Sequence, residues 1–167
     1  MRHILLLNVI VLFFAFGNIK AQVMNSKKLK ELIVQVSDTV IANGNSLQFS
    51  YNKRPLICVY DENANRMRII SPITERVDIG EEELLNALVA NFHSVLDVKY
   101  ALSDEVIWSV FIHPLKELTE KQVLDAIDQV YRAATTFGTT YSSTDLVFPG
   151  NTKKREKTKP KKLMDKG

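Results

Sequence analysis

A chain of 167 residues, 46% apolar and 25% charged, is long enough for one domain with a real core. Its one cysteine excludes an internal disulfide, and its six glycines form no phosphate-cradling loop, so nucleotide binding has no support. The formal charge of +3 hides a split: residues 22–150 hold twelve basic and seventeen acidic side chains, net −5, whereas residues 151–167 hold eight basic and two acidic, net +6.

Arg2 and His3 precede an apolar run over residues 4–16, broken only by Asn8 and followed by Gly17 and Asn18. This order describes a secretory signal peptide over residues 1–21, with cleavage after Ala21 leaving Gln22 first. Ile19, third before the cut, is larger than such sites prefer. The apolar block falls short of the ~20 residues that span a bilayer, which argues against an uncleaved anchor. The expectation is an exported chain, periplasmic or secreted, with no transmembrane segment in its mature form.

Within the body, Ser26 is placed to cap a helix over residues 27–42, with Leu29, Leu32, Ile33, Val36 and Val40 as its apolar stripe. Asn43-Gly-Asn45 reads as its stop. Short strands are expected over residues 47–51, 56–61 and 66–71, with polar turns between them and Pro72 as the end of the third.

A second helix is expected over residues 81–95, opened by Asp78 and Glu81 and burying Leu84, Leu85, Leu88, Phe92 and Val95. Residues 98–102 and 106–112 are β-branched and aromatic and read as a hairpin. Thr119 and Gln122 form a capping box for the last helix, whose apolar face is Val123, Leu124, Ile127, Val130, Tyr131 and Ala134, with Gly138 as its stop. Residues 146–148 are apolar enough to dock on the body. The expected fold is α+β: a five-stranded antiparallel sheet with three helices in the order α-β-β-β-α-β-β-α, one domain over residues 22–150. The basic tail, residues 151–167, has no aromatic residue and too little apolar surface to order itself.

The order of elements and several local words resemble one group. Asn65-Arg-Met-Arg-Ile69, Ala90-Asn-Phe92, Leu96-Asp97 with Tyr100-Ala-Leu102, and Trp108 followed by His113-Pro-Leu115 carry the likeness. Thr136-Phe-Gly138 with Tyr141-Ser-Ser143 extends it, so that it covers roughly residues 26–150. The chain is similar to the type III secretion chaperone-like fold, particularly the YbjN-type and related uncharacterised bacterial domains. The resemblance implies a small domain that binds protein segments or pairs with itself, without catalysis or a cofactor. Secretion chaperones of this fold act in the cytoplasm, so the N-terminal leader keeps the effector-binding role itself from carrying over.

Chemistry is sparse. The hydroxyls of Ser142 and Ser143 and the Cys58 thiol have no local link to His93 or His113, so no catalytic set is assigned. His93 and Asp97, four apart, supply only two of the four ligands that zinc usually takes, and no second pair stands at ligand spacing. Asn65, Arg66, Arg68 and Asn91 form a candidate recognition patch, weighed against a turn residue, two solvated arginines and a helix amide bonded to a loop. Trp108, Leu88, Phe92 and Phe111 are the expected core anchors.

Two functional readings follow. One is a non-catalytic exported binding or chaperone-like module acting through protein contacts. It is expected to pair as a homodimer, because Cys58, Tyr60, Ile107 and Phe111 alternate with Ile57, Val59, Trp108 and Val110 and leave neither strand face wet. The other is an envelope adhesion or scaffold protein whose basic tail grips an acidic surface, with no specific nucleic acid as ligand. Mass spectrometry of protein recovered from the cell envelope is expected to show residues 1–21 absent. An intact N-terminus in membrane pellets would overturn the leader assignment.

Overall fold

The computed structural model describes residues 23–148. The expected leader over residues 1–21 and the basic tail over residues 151–167 lie outside the described residues. The elements are α1 (Ser26–Val36), β1 (Thr39–Asn43), β2 (Ser46–Tyr51), β3 (Arg54–Asp61), β4 (Arg66–Glu75), a 3-10 turn (Arg76–Asp78), α2 (Glu81–His93), β5 (Lys99–Ser103), β6 (Val106–His113) and α3 (Glu120–Thr136). The fold is α+β, and its six strands form one sheet in the order β1-β2-β3-β4-β6-β5.

The sixth strand corrects the expectation of five. Helix α1 is capped by Asn25, whose Oδ1 accepts from Lys28 N at 2.9 Å, and it ends at Val36 rather than running to residue 42. Thr39-Val-Ile41 is a β-branched run, which prefers a pleated strand to a helix. Asn43-Gly44-Asn45 is therefore a hairpin turn, with Gly44 at φ +54° and Asn43 paired to Ser46. The next two hairpins close through Asn52-Lys53 (φ +50° and +65°) and Asp104-Glu105 (φ +51° and +59°), the paired positive angles that suit right-twisted strands. Strand β4 passes through Pro72 and on to Glu75, because a proline φ is compatible with extended backbone. Helix α2 opens at Gly80, not at Asp78; the Gly80 N–H donates to Glu83 Oε2 at 3.0 Å. The expected box at α3 is present, with Gln122 N donating to Thr119 Oγ1 and Thr119 N to Gln122 Oε1 (3.2 and 2.9 Å).

By internal contacts the described residues divide into two compact units, residues 23–69 with 112–127 and residues 70–111 with 128–148. In the first, Leu29, Leu32 and Ile33 of α1 are buried together with Leu47, Phe49, Leu56, Cys58, Met67 and Ile69 of the strands and Val123 and Ile127 of α3. Strands β2, β3 and β4 bury alternate residues, so one face carries the core. Cys58 lies in that core, and burial pushes its thiol up to about 12.

The second unit buries Tyr100, Ile107, Phe111 and Val130 together with four polar residues, Ser71, Ser109, Gln129 and Ser143. All four are bonded. Ser109 Oγ donates to Val130 O at 2.9 Å, and Gln129 Oε1 accepts from Asp97 N at 3.1 Å and from Ser143 Oγ at 3.3 Å. Ser143 Oγ also accepts from Leu96 N at 2.8 Å, which ties the segment after α3 to the segment after α2. The Tyr100 hydroxyl donates to Ala133 O at 2.9 Å, and burial raises its pKa to about 12.

Two stability outcomes follow from this core. Gln129→Ala orphans the Asp97 N–H and is expected to cost about 1–3 kcal/mol in urea unfolding; a loss under about 0.5 kcal/mol would show the network to be dispensable. Cys58 is expected to resist thiol reagents at about pH 8 until denaturant is added, when one thiol per chain titrates. Reaction of the folded protein would place Cys58 at the surface.

Candidate functional site

The four residues of the candidate patch do not act together. Asn65, at φ +51°, turns the chain into β4 and spends its side chain on the loop before α3: Oδ1 accepts from Lys116 N at 2.8 Å, and Nδ2 donates to both Glu117 oxygens at 3.1 and 3.0 Å. These bonds hold the Glu117 carboxyl below its ordinary pKa. Asn91 donates from Nδ2 to Tyr100 O and accepts at Oδ1 from Tyr100 N (3.2 and 2.7 Å), so its amide pairs with β5 as a neighbouring strand would. Both asparagines are structural.

Arg66 and Arg68 differ from them. They alternate with buried Met67 and Ile69 and stand exposed on the opposite face of β4. There they line an open groove of about 520 Å³ together with Asn45, Val59, Tyr60 and Ile112. Arg66 Nη1 donates to Asn65 O at 2.8 Å, and neither arginine joins an ion pair among the described residues.

The expected core anchors require correction. Leu88 and Phe92 are 65% and 74% exposed, and Leu85 and Val89 beside them are 61% and 58% exposed. The inward residues of α2 are Ala87 and Ala90. These residues recur at i, i+3, i+4 and i+7, so the spacing was legible, but it defines a stripe without saying which side of the helix the chain covers. Small alanines let the helix backbone approach its support closely, and the large side chains are left outside. Phe111 is buried, whereas Trp108 is half-buried and donates from Nε1 to Ser103 O at 3.2 Å. In β6 the core side is Ile107, Ser109 and Phe111.

At the C-terminal end of α2 the chain returns. Phe148 N donates to His93 O at 2.8 Å, and His93 Nδ1 lies 3.0 Å from Phe148 O. Leu146, Val147 and Phe148 remain at least half exposed, so residues 146–148 attach through backbone rather than by the apolar docking expected of them. His113 Nδ1 lies 2.8 Å from Pro114 O, and Asp97 is engaged by Gln129 Nε2 at 3.2 Å. No group of three or more His, Cys, Asp or Glu side chains converges among the described residues. The chemistry on offer is that of surfaces: an apolar helix face in one unit and an arginine-lined groove in the other.

No protein-family model and no curated protein matches the chain. Solved structures do. A chain from the structure of the Yersinia pestis type III secretion chaperone SycH, in complex with a stable fragment of YscM2, matches at TM-score 0.53 and 14% identity, over 67% of this chain and 98% of its own. A chain of the HopA1–SchA chaperone–effector complex matches at TM-score 0.51 and 12% identity, over 65% and 88%. A chain of the ExsC–ExsE complex matches at TM-score 0.51 and 9% identity, over 65% and 90%. At these identities the likeness is one of fold: the chain has the type III secretion chaperone-like fold.

Proposed function

We propose that this protein is a non-catalytic, exported binding module of chaperone-like type that works through protein–protein contacts as a homodimer. The observation that carries the reading is the bare apolar stripe of α2: Leu85, Leu88, Val89 and Phe92, each more than half exposed. Monomers rarely leave contiguous apolar surface of more than a few hundred Å² in water. A helix stripe of this width is the surface that a second helix covers, and a two-fold axis lets one stripe cover its own copy.

Charge fits an antiparallel pairing. Glu81, Glu82 and Glu83 occupy the first turn of α2, while beyond its last turn Lys99 Nζ donates to Val95, Leu96 and Val98 carbonyls, each at 2.9 Å. Antiparallel helices bring the acidic end of each beside the basic end of the other.

The solved structures support the protein-binding part of the reading, since SycH is held with a fragment of YscM2 and the HopA1–SchA structure is a chaperone–effector complex. Export rests on the leader-like residues 1–21, and a periplasmic or secreted location follows from it. The YbjN-type likeness is the narrower version of the same reading. A second reading, adhesion to an anionic surface through the tail, rests on the net +6 of residues 151–167.

Light scattering on the mature chain is expected to give a dimer, and Leu88→Glu with Phe92→Glu a folded monomer with unchanged circular dichroism. Both substituted side chains are exposed, so the fold tolerates the charges while the pairing does not. A wild-type monomer at tens of micromolar would overturn the pairing. Retention on anionic vesicles that is lost without residues 151–167 would favour the adhesion reading.

A further inference from the structure

We propose that the groove over β4 is a binding site for an extended acidic segment of a partner protein. This names the partner chemistry within the protein-binding reading above and rests on that reading. The segment would carry carboxylates at alternate positions, on the one face it turns to the groove.

Arg66 and Arg68 are two apart on one strand, so their side chains leave the same face about 7 Å apart. Alternate residues of an extended peptide repeat at the same distance, which sets two carboxylates over two guanidinium groups. Arginine is suited to this role because its planar fork takes a carboxylate bidentately.

The surroundings leave the arginines available. Asp61 lies at the groove's edge, but its Oδ1 accepts the N–H groups of Asn63 and Ala64 at 2.8 and 2.9 Å. The Glu117 carboxylate is held mainly by Asn65 Nδ2 and draws weakly on Arg66 without forming an ion pair, so Arg68 is the freer of the two. The Arg68 side chain joins no hydrogen bond or ion pair among the described residues, in a body of net charge −5.

The groove is not only charged. Val59 on β3 and Ile112 on β6, the latter 63% exposed, flank the arginine row with apolar surface. Tyr60 is fixed at the rim by its N–H to Asn45 O at 3.0 Å and its hydroxyl to Gly44 O at 3.4 Å. A free phosphate or a bare polyanion would use the arginines and waste the flanks. The carboxylates of an extended polypeptide would meet the arginines while the methylene stems of the same side chains lie against those flanks.

The test is fluorescence anisotropy of the full chain with a labelled Gly-Ser-Val-Asp-Val-Asp-Val-Ser-Gly peptide, against a version with both Asp replaced by Asn. The parent peptide is expected to bind, the Asn replacement to weaken it about tenfold, and Arg68→Gln to weaken the parent about tenfold with an unchanged melting point. Arg66→Gln is expected to act in the same direction, and added salt to weaken binding further. Should the double arginine variant unfold, Arg68→Gln alone decides, because that side chain holds nothing in the fold. No binding, equal binding of the Asn peptide, or equal binding of heparin or single-stranded DNA would overturn the proposal. Loss of the dimer in Arg66→Gln/Arg68→Gln by light scattering would also overturn it, by making a second copy the occupant. If the peptide fails while the α2-dependent dimer persists, only the groove assignment is lost.

Discussion

One-sided burial of the strands governs everything else in this molecule. Strand residues project alternately, so committing Leu47 and Phe49 of β2, Leu56 and Cys58 of β3 and Met67 and Ile69 of β4 to the core sends Gln48, Ile57, Val59, Arg66 and Arg68 to the other side. No rearrangement of side chains can undo this without a shift of register. The strands therefore hide one apolar face well and leave a second, partly apolar face on the outside.

Polar groups are admitted to the buried side only where they are bonded. No described buried side-chain nitrogen or oxygen lacks a partner, as expected where an orphan costs more than a bond returns. Ser109 returns its proton to a carbonyl of α3, and Gln129 gathers the loop after α2 and the loop after α3 onto one amide. Asn91 performs the comparable service for β5, at the end of the strand order, by presenting an amide where a further strand would stand. These contacts make loops that look featureless in sequence into fixed parts of the fold.

Function follows from what the two units leave uncovered. Where α2 rests on Ala87 and Ala90, Leu85, Leu88, Val89 and Phe92 face water. In the other unit, Arg66 and Arg68 stand between Val59 and Ile112. The first surface suits another apolar face, the second a charged and extended chain. Meanwhile the thiol that might have suggested chemistry is sealed in the core with its pKa raised by burial.

The sequence by itself determined the class, the three helices, most strand positions and the α3 capping box, because these depend on spacing and propensity within a few residues. It also limited the chemistry, through one cysteine and two scattered histidines in the body. It missed β1, since Val36 and Val40 fit a helical stripe and only the pairing of Thr39–Asn43 with β2 decides otherwise. Tertiary structure alone decided which side of α2 is covered and which face of β6 is core, because a periodic pattern marks a face without naming what lies against it. It also separated the four patch residues: both asparagines satisfy backbone and carboxylate groups distant in sequence, a contact no local pattern encodes, and the two arginines are left facing the groove.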